Sequence, residues 1–362
     1  MAAQPRVGSS PPADIGVAYT ASVAAPPGFT EIAAPTRART DWNQPRKKTA
    51  MQPIRAGFQG VFTALVTPMR AHDSDENIAL SGDAIPRIDE RALATLVEQQ
   101  ILGGVSGLVA CGTTGEAATM SPAEQERVIR IVVEAAAGRV PVLAGIGSPS
   151  TAQSVELGRA ALRVGVQGLL AVTPYYNRPP QEGLVQHFSA IAKLGAPIML
   201  YNVPARTGCD LLPDTVARLC DLPEVVSLKE ATGSVQRTDA ILRKVGDRIT
   251  VLSGEDAINH PLYCVGARGT VSVVSNVAPR LTADILAAHQ AGNAALALQL
   301  HRRFVPLADA LFSEPNPIPT KAALAMMYGS SVSSALRLPL VPMSESGQAK
   351  LRALLVQMEL VS

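Results

Sequence analysis

Eight times between Gly60 and Asn276 a short apolar run ends in polar or glycine residues and gives way to a stretch that reads as a helix. The runs are "GVFTALVTP" (60–68), "GLVACGTTG" (107–115), "VPVLAGIG" (140–147), "GLLAVTPYY" (168–176), "PIMLYNVP" (197–204), "VVSLKEAT" (225–232), "ITVLSGED" (249–256) and "GTVSVVSN" (269–276). Between them, "SPAEQERVIRIVVEAAAG" (121–138) carries a full set of helix signals. Ser121 caps, Pro122 fits the first turn, Glu124 completes a capping box and Gly138 closes the end. Val128, Ile131 and Val132 then stripe one face. Strands that alternate with helices must pair in parallel, and eight such units in roughly 220 residues suit a closed (β/α)8 barrel, the TIM-barrel form of the α/β class. A doubly wound open sheet is the alternative. It calls for a nucleotide-binding fingerprint after the first strand, where "TPMRAHDSDEN" offers none.

The barrel is expected over residues 57–278, followed by a C-terminal helical subdomain over 279–362 that includes the last barrel helix. "TADILAAHQAG" and "NAALALQLHRRFVPLADALF" supply more helix than one closing element requires. Residues 1–56 differ in kind: "SSPPAD", "AAPPG" and "RTDWNQPRKK" have no sustained period, so this segment is expected to be disordered, with Trp42 exposed to solvent. Its basic balance fits an organelle transit peptide, and Met51, shortly before the first strand, fits an alternative start.

Composition narrows the function. Hydrophobic residues make up 47% of the chain and charged ones 17%, enough for a large core. A net charge of +2 with no basic face gives no reason to expect nucleic acid or an anionic membrane as partner. No apolar stretch reaches the roughly 20 residues of a membrane span. Cys111, Cys209, Cys220 and Cys264 have no CxxC spacing, and the five histidines are scattered, so neither a disulfide framework nor a zinc site is expected and a reducing cytosol fits.

A barrel of this kind builds its active site where its strands end. Thr113 and Thr114 lie at one such end, Tyr175 and Tyr176 at another, Tyr201 on the fifth strand and Lys229 on the sixth. By alternation, Lys229, Ser227 and Val225 point into the barrel, while Leu228 and Glu230 face the helices. Burial disfavours the charged form of a lysine and can lower its pKa by up to ~3–5 units, which leaves neutral amine to attack a carbonyl and form a Schiff base. Hydroxyls nearby suit the proton transfers that follow. The competing reading is a lysine that emerges at the rim and snorkels to water. Thr113, Tyr201 and the glycine-containing end "SGED" together favour chemistry. The tandem threonines alone could cap a turn, the tyrosines could pack an interface, Arg206 could pair with Asp210, and "AGIGSPS" (144–150) reads as a tight turn with no catalytic duty.

The segments "GTTGE" (112–116), "TPYYNRP" (173–179), "YNVPARTG" (201–208), "LKEATG" (228–233), "EPNPIPTK" (314–321) and "LRLPLVP" (336–342) occur in order, with strand spacing intact. From about Gly57 onward the chain resembles the dihydrodipicolinate synthase (4-hydroxy-tetrahydrodipicolinate synthase) family of pyruvate-dependent class I aldolases. The resemblance implies that Lys229 forms an imine with pyruvate, that Thr114 and adjoining main chain hold its carboxylate, and that Tyr201 moves protons. It implies that Thr113 links Tyr201 to Tyr176, the latter reaching in from a neighbouring subunit. Main chain near Gly254 and the side chain of Val271 would line the pyruvate pocket, and Arg206 would receive the carboxylate of L-aspartate-4-semialdehyde. No cofactor or metal is implied. The assembly implied is a homotetramer built from two tight dimers, and the pathway is that of diaminopimelate and lysine.

Two departures stand out. Where lysine-inhibited relatives carry histidines and a glutamate around the effector, this chain has Pro122, Gln125 and Gln153, despite keeping Tyr175 and Ala118, so weak or absent inhibition by lysine is expected. "AHDSDENIALSGDAIPRID" (71–89) is longer than the usual first loop and reads as a solvated excursion. Competing functions are N-acetylneuraminate lyase or a keto-deoxy-sugar aldolase, which share the lysine and tyrosine, and a catalytically silent barrel. Arg206 favours a small acidic aldehyde over a polyol chain.

Overall fold

The computed structural model describes residues 57–70 and 85–361. The expectations for the N-terminal segment, Met51 and Trp42, and for most of the 71–89 excursion, fall outside those residues. Eight strands form a closed, all-parallel barrel: β1 Gly60–Ala64, β2 Gly107–Ala110, β3 Val142–Gly145, β4 Gly168–Val172, β5 Ile198–Asn202, β6 Val225–Glu230, β7 Thr250–Ser253 and β8 Gly269–Ser272. Each lies within a run seen in the sequence, and the ladder reaches polar residues at several C-terminal ends, with Lys229 opposite Tyr201 and Glu230 opposite Asn202. Closure comes from β1 against β8, with Gly60 opposite Gly269 and Phe62 opposite Val271.

Helices surround the barrel because alternate strand residues need cover on the outside. The helix Pro122–Ala136 begins as its sequence dictates: the Ser121 hydroxyl accepts from Glu124 N, and Ser121 N donates to the Glu124 carboxylate at 2.8 Å. Val128, Ile129 and Val132 are its buried stripe, with Ile131 half-buried beside them. Ala137 takes the left-handed conformation at its end, one residue before Gly138. After β8, the helix Pro279–Gln290 packs against β1, and Ala294–Leu311, Ile318–Tyr328 and Glu345–Gln357 make up the rest of a C-terminal helical region.

The core has two layers. The larger lies between strands and helices and includes Leu108, Val128, Ile198, Leu228 and Val251. The smaller fills the barrel with Phe62, Val109, Leu143, Leu170, Met199, Leu252 and Val271. Phe58 closes its lower end: its ring meets Phe62 edge-on at 5.7 Å, its N–H donates to Ser227 Oγ at 2.9 Å, and its carbonyl accepts from Thr250 Oγ1 at 2.6 Å. With that end plugged, access is from the C-terminal mouth.

One alternation differs from expectation. Ser227 turns inward as expected, but Val225 belongs to the outer layer. The register between β5 and β6 shifts, Ile198 pairing with Val225 and Met199 with Ser227, so Val226 is an extra residue. Such a bulge resets which face each residue takes. Beyond it, Leu228 lies outward and Lys229 inward.

Candidate active site

Lys229 sits near the end of β6, opposite Tyr201 of β5 in the ladder, and only 6% of its surface is exposed. Its Nζ lies 4.1 Å from the centroid of the Tyr201 ring. It makes no ion pair or hydrogen bond among the described residues. The contrast is Lys321, also buried, which is paired with Glu116 and donates to Ala335 O at 2.7 Å. Lys321 has its charge compensated in place, whereas the Lys229 amine is held by no such tie.

Gly254, at the end of β7, makes room for the lysine. A Cβ there would stand 3.0 Å from both Cγ and Cε of Lys229 and 2.6 Å from Ala231 Cβ, while Gly254 N donates to Glu230 O at 2.7 Å. Glu230 faces outward as expected, accepting from Asn202 Nδ2 at 3.2 Å and Thr232 N at 3.0 Å, and burial raises its carboxyl pKa. Val271 of β8 lines the interior in the same apolar cluster as Tyr201.

Next to Gly254 stands Glu255, half-buried. Burial and the neighbouring Asp256 raise its carboxyl pKa, and the charges of Lys229 and Arg206 pull it back down. This carboxylate therefore shares one electrostatic environment with both cationic residues. Arg206 is exposed and has no ion pair among the described residues. The expected competitor for it is already engaged: Asp210 takes Arg237 in a two-pronged pair at 2.8 and 3.0 Å.

The loop after β2 is tightly built. Cys111 and Glu116 both have positive φ, 53° and 56°, and Gly145 of β3 leaves the space for it, since a Cβ there would lie 2.1 Å from Cys111 O. Thr114 is buried and its Oγ1 accepts from Asn316 Nδ2 at 2.9 Å. Main-chain bonds in the loop begin at Gly115 N, leaving the amides of Thr113 and Thr114 without an acceptor among the described residues. Glu116 anchors the loop from behind, through Lys321 and through Arg337 N at 3.1 Å. Arg337 in turn holds Glu124 and the carbonyls of Pro86 and Thr119. Asn316, Lys321 and Arg337 lie in the segments "EPNPIPTK" and "LRLPLVP", which the sequence singled out without assigning them a task.

Thr113 differs from expectation. It is exposed, and its hydroxyl bonds to nothing among the described residues, so the link to Tyr201 is not formed within one chain. Tyr176 projects outward, 93% exposed, at φ 72° in the left-handed region, with its N–H on Thr207 O at 3.3 Å. That conformation is strained for a non-glycine residue.

The histidines are not all scattered. His260, Cys264 and His289 bring their ligand atoms within 4.8 Å of one another. Burial lowers the pKa of His260, and of His301 packed beside it, and each is also affected by a neighbouring imidazole.

A closed parallel barrel that keeps an unpartnered lysine beside a tyrosine at its open end defines a lyase of the class I aldolase type. The model of the dihydrodipicolinate synthetase family matches residues 57–358, and the chain belongs to that family. It is 47% identical over 296 residues to the 4-hydroxy-tetrahydrodipicolinate synthase of Halorhodospira halophila, covering 82% of this chain and 95% of that one. With the enzyme of the same name from Geobacter sulfurreducens it shares 46% identity over 305 residues, 84% of this chain and all of the other. Among solved structures, the chloride-inhibited dihydrodipicolinate synthase of Acinetobacter baumannii, complexed with pyruvate, superposes with a TM-score of 0.78 at 39% identity, covering 84% of this chain and 99% of that one. The enzyme from Cyanidioschyzon merolae with lysine bound gives a TM-score of 0.78 at 35% identity over the same shares.

Proposed function

We propose that this chain is a 4-hydroxy-tetrahydrodipicolinate synthase, condensing pyruvate with L-aspartate-4-semialdehyde in diaminopimelate and lysine biosynthesis. The observation that carries the reading is the buried, unpartnered Nζ of Lys229 at the barrel mouth, 4.1 Å from the Tyr201 ring. As the free amine it adds to the ketone carbon of pyruvate, and loss of water gives the imine. The protonated imine nitrogen draws electrons from the adjacent methyl group, a proton leaves that carbon, and the enamine forms. Tyr201 takes the role of proton carrier.

The enamine carbon then bonds to the aldehyde carbon of the second substrate, whose oxygen takes up a proton to become the hydroxyl. The substrate's own amine displaces Lys229 from the imine carbon, closing the ring and returning the lysine. One water is released overall. Thr114, with the unspent amides of the Thr113–Thr114 turn, suits the pyruvate carboxylate, and Arg206, lacking an ion pair among the described residues, suits the carboxylate of the semialdehyde. Gly254 and Val271 complete the pocket wall.

Tyr176 acts, in this reading, in the site of a second copy, where Thr113 would connect it to Tyr201. Its 93% exposure in a strained conformation supports that role, and tight dimers pairing into a tetramer are the assembly we propose. Four free cysteines, and no described helix long and apolar enough to cross a membrane, support a cytoplasmic setting.

The test is turnover by the purified full chain. With pyruvate and L-aspartate-4-semialdehyde, kcat/KM should exceed that for cleavage of N-acetylneuraminate or keto-deoxy sugars by at least ~100-fold, because Arg206 rewards a carboxylate and offers a polyol little. Preference for a sugar acid would overturn the proposal.

A further inference from the structure

We propose that His260, Cys264 and His289 form a binding site for a borderline-soft divalent cation, with Zn2+ the best match to the donor set. His260 and Cys264 lie four residues apart on the helix Asn259–Cys264, which puts them on one face, and His289 comes from the last turn of Pro279–Gln290. Two imidazoles and a thiol are the donors that Zn2+ prefers. Their ligand atoms all fall within 4.8 Å of one another, and Cys264 Sγ is 3.8 Å from His260 Nε2. Zinc bond lengths of about 2.3 Å to sulfur and 2.0–2.1 Å to nitrogen set that edge of a tetrahedron at roughly 3.6 Å. The pair is already at that spacing, and His289 completes the face with a small side-chain adjustment.

The surroundings support a ligand site. His260 and His289 meet at 5.9 Å between ring centroids, nearly perpendicular, an arrangement in which two ring nitrogens can converge on one point. His301 packs on His260 at 5.7 Å, and its Nδ1 is buried with no hydrogen-bond partner, an uncommon state for an imidazole. The cluster is open on one side, because Cys264 is exposed, so a cation has an entry path and a position left for water. On binding, the Cys264 thiol gives up its proton to solvent and the thiolate sulfur donates a lone pair to the metal, so one proton is released per ion bound. The ion would clip the short helix after β7 to the helix that follows β8.

Zinc titration of tag-free, chelator-treated full chain tests this, read by calorimetry, with Co2+ as a spectroscopic probe. The expected result is one ion per chain and, with Co2+, a thiolate-to-metal charge-transfer band in the near ultraviolet. Cys111, Cys209 and Cys220 are buried, so that band reports on Cys264. Cys264→Ser should abolish the band and weaken binding by at least ~100-fold, more than loss of an outer-shell partner costs, and His289→Gln should weaken it similarly while the circular dichroism spectrum is unchanged. Cys264→Ser is an isosteric change at an exposed position, so the test survives if His289→Gln fails to fold. Binding well below one equivalent, a missing band, or affinity unaltered in Cys264→Ser would overturn the proposal.

Discussion

Asn316 donates its side-chain amide to Thr114 Oγ1 over 2.9 Å, joining the C-terminal region to the loop after β2. Both groups are buried, so the bond fixes the hydroxyl rotor of Thr114 where the pyruvate carboxylate is proposed to bind. A neutral hydrogen bond contributes about 0.5–1.5 kcal/mol, so Asn316→Ala should raise KM for pyruvate by roughly 3- to 10-fold and leave kcat within about 2-fold. Steady-state kinetics measure both. An unchanged KM would separate Asn316 from substrate binding.

Behind the same loop, Glu116 and Lys321 form an ion pair with each side chain only 1% exposed. Removing one partner strands the other in a low-dielectric site, so Lys321→Met should lower stability by about 3–5 kcal/mol. The double variant Glu116→Gln/Lys321→Met leaves no uncompensated charge and should be more stable than Lys321→Met alone. Urea unfolding midpoints give the comparison, and equal losses in the two variants would contradict it.

His187 is buried, with Nδ1 2.9 Å from Thr151 Oγ1 and Nε2 lacking a partner. Burial lowers its pKa from 6.5 to about 4. Between those values the unfolded chain binds a proton that the folded chain refuses, so stability falls as pH drops from 6.5 to 4, by about 3 kcal/mol from this group. His187→Gln removes the titration and should flatten that part of the pH profile. Glu124, held at about 2 by hydrogen bonding to Arg337, adds a second loss as pH falls below 4.5, which the variant should retain.

Gln125 and Gln153 are committed to local contacts. Gln125 Nε2 donates to Ala117 O at 3.0 Å, and Gln153 Oε1 accepts from Ser148 Oγ at 2.7 Å. Neither offers a charge to an ammonium group, and Pro122 offers no side-chain donor or acceptor. Lysine at about 1 mM should therefore inhibit by less than half, a binding free energy weaker than about 4 kcal/mol. Inhibition in the micromolar range would contradict this.

The barrel was legible because each strand is an apolar run closed by glycine or polar residues, and because helix signals such as the Ser121–Glu124 box act locally. Lys229 was legible because a charge on a buried strand needs a reason. The Val226 bulge was not, since it depends on how β5 and β6 settle against each other and leaves no mark in the local pattern. The Asn316–Thr114 and Lys321–Glu116 ties span more than 200 residues, beyond the reach of any periodicity. The histidines read as scattered because His289 folds back onto His260 and Cys264 from a helix beyond β8, which no local pattern announces. Tyr176 could not be completed in one chain, because the Thr113 it is proposed to meet belongs to a second copy.

Reduction with borohydride in the presence of pyruvate, followed by peptide mass analysis, bears most directly on the chemistry. One reduced pyruvate adduct per chain is predicted, on the peptide that contains Lys229, and none in Lys229→Met. An adduct on a different lysine, or an intact Lys229 after reduction, would contradict the imine mechanism.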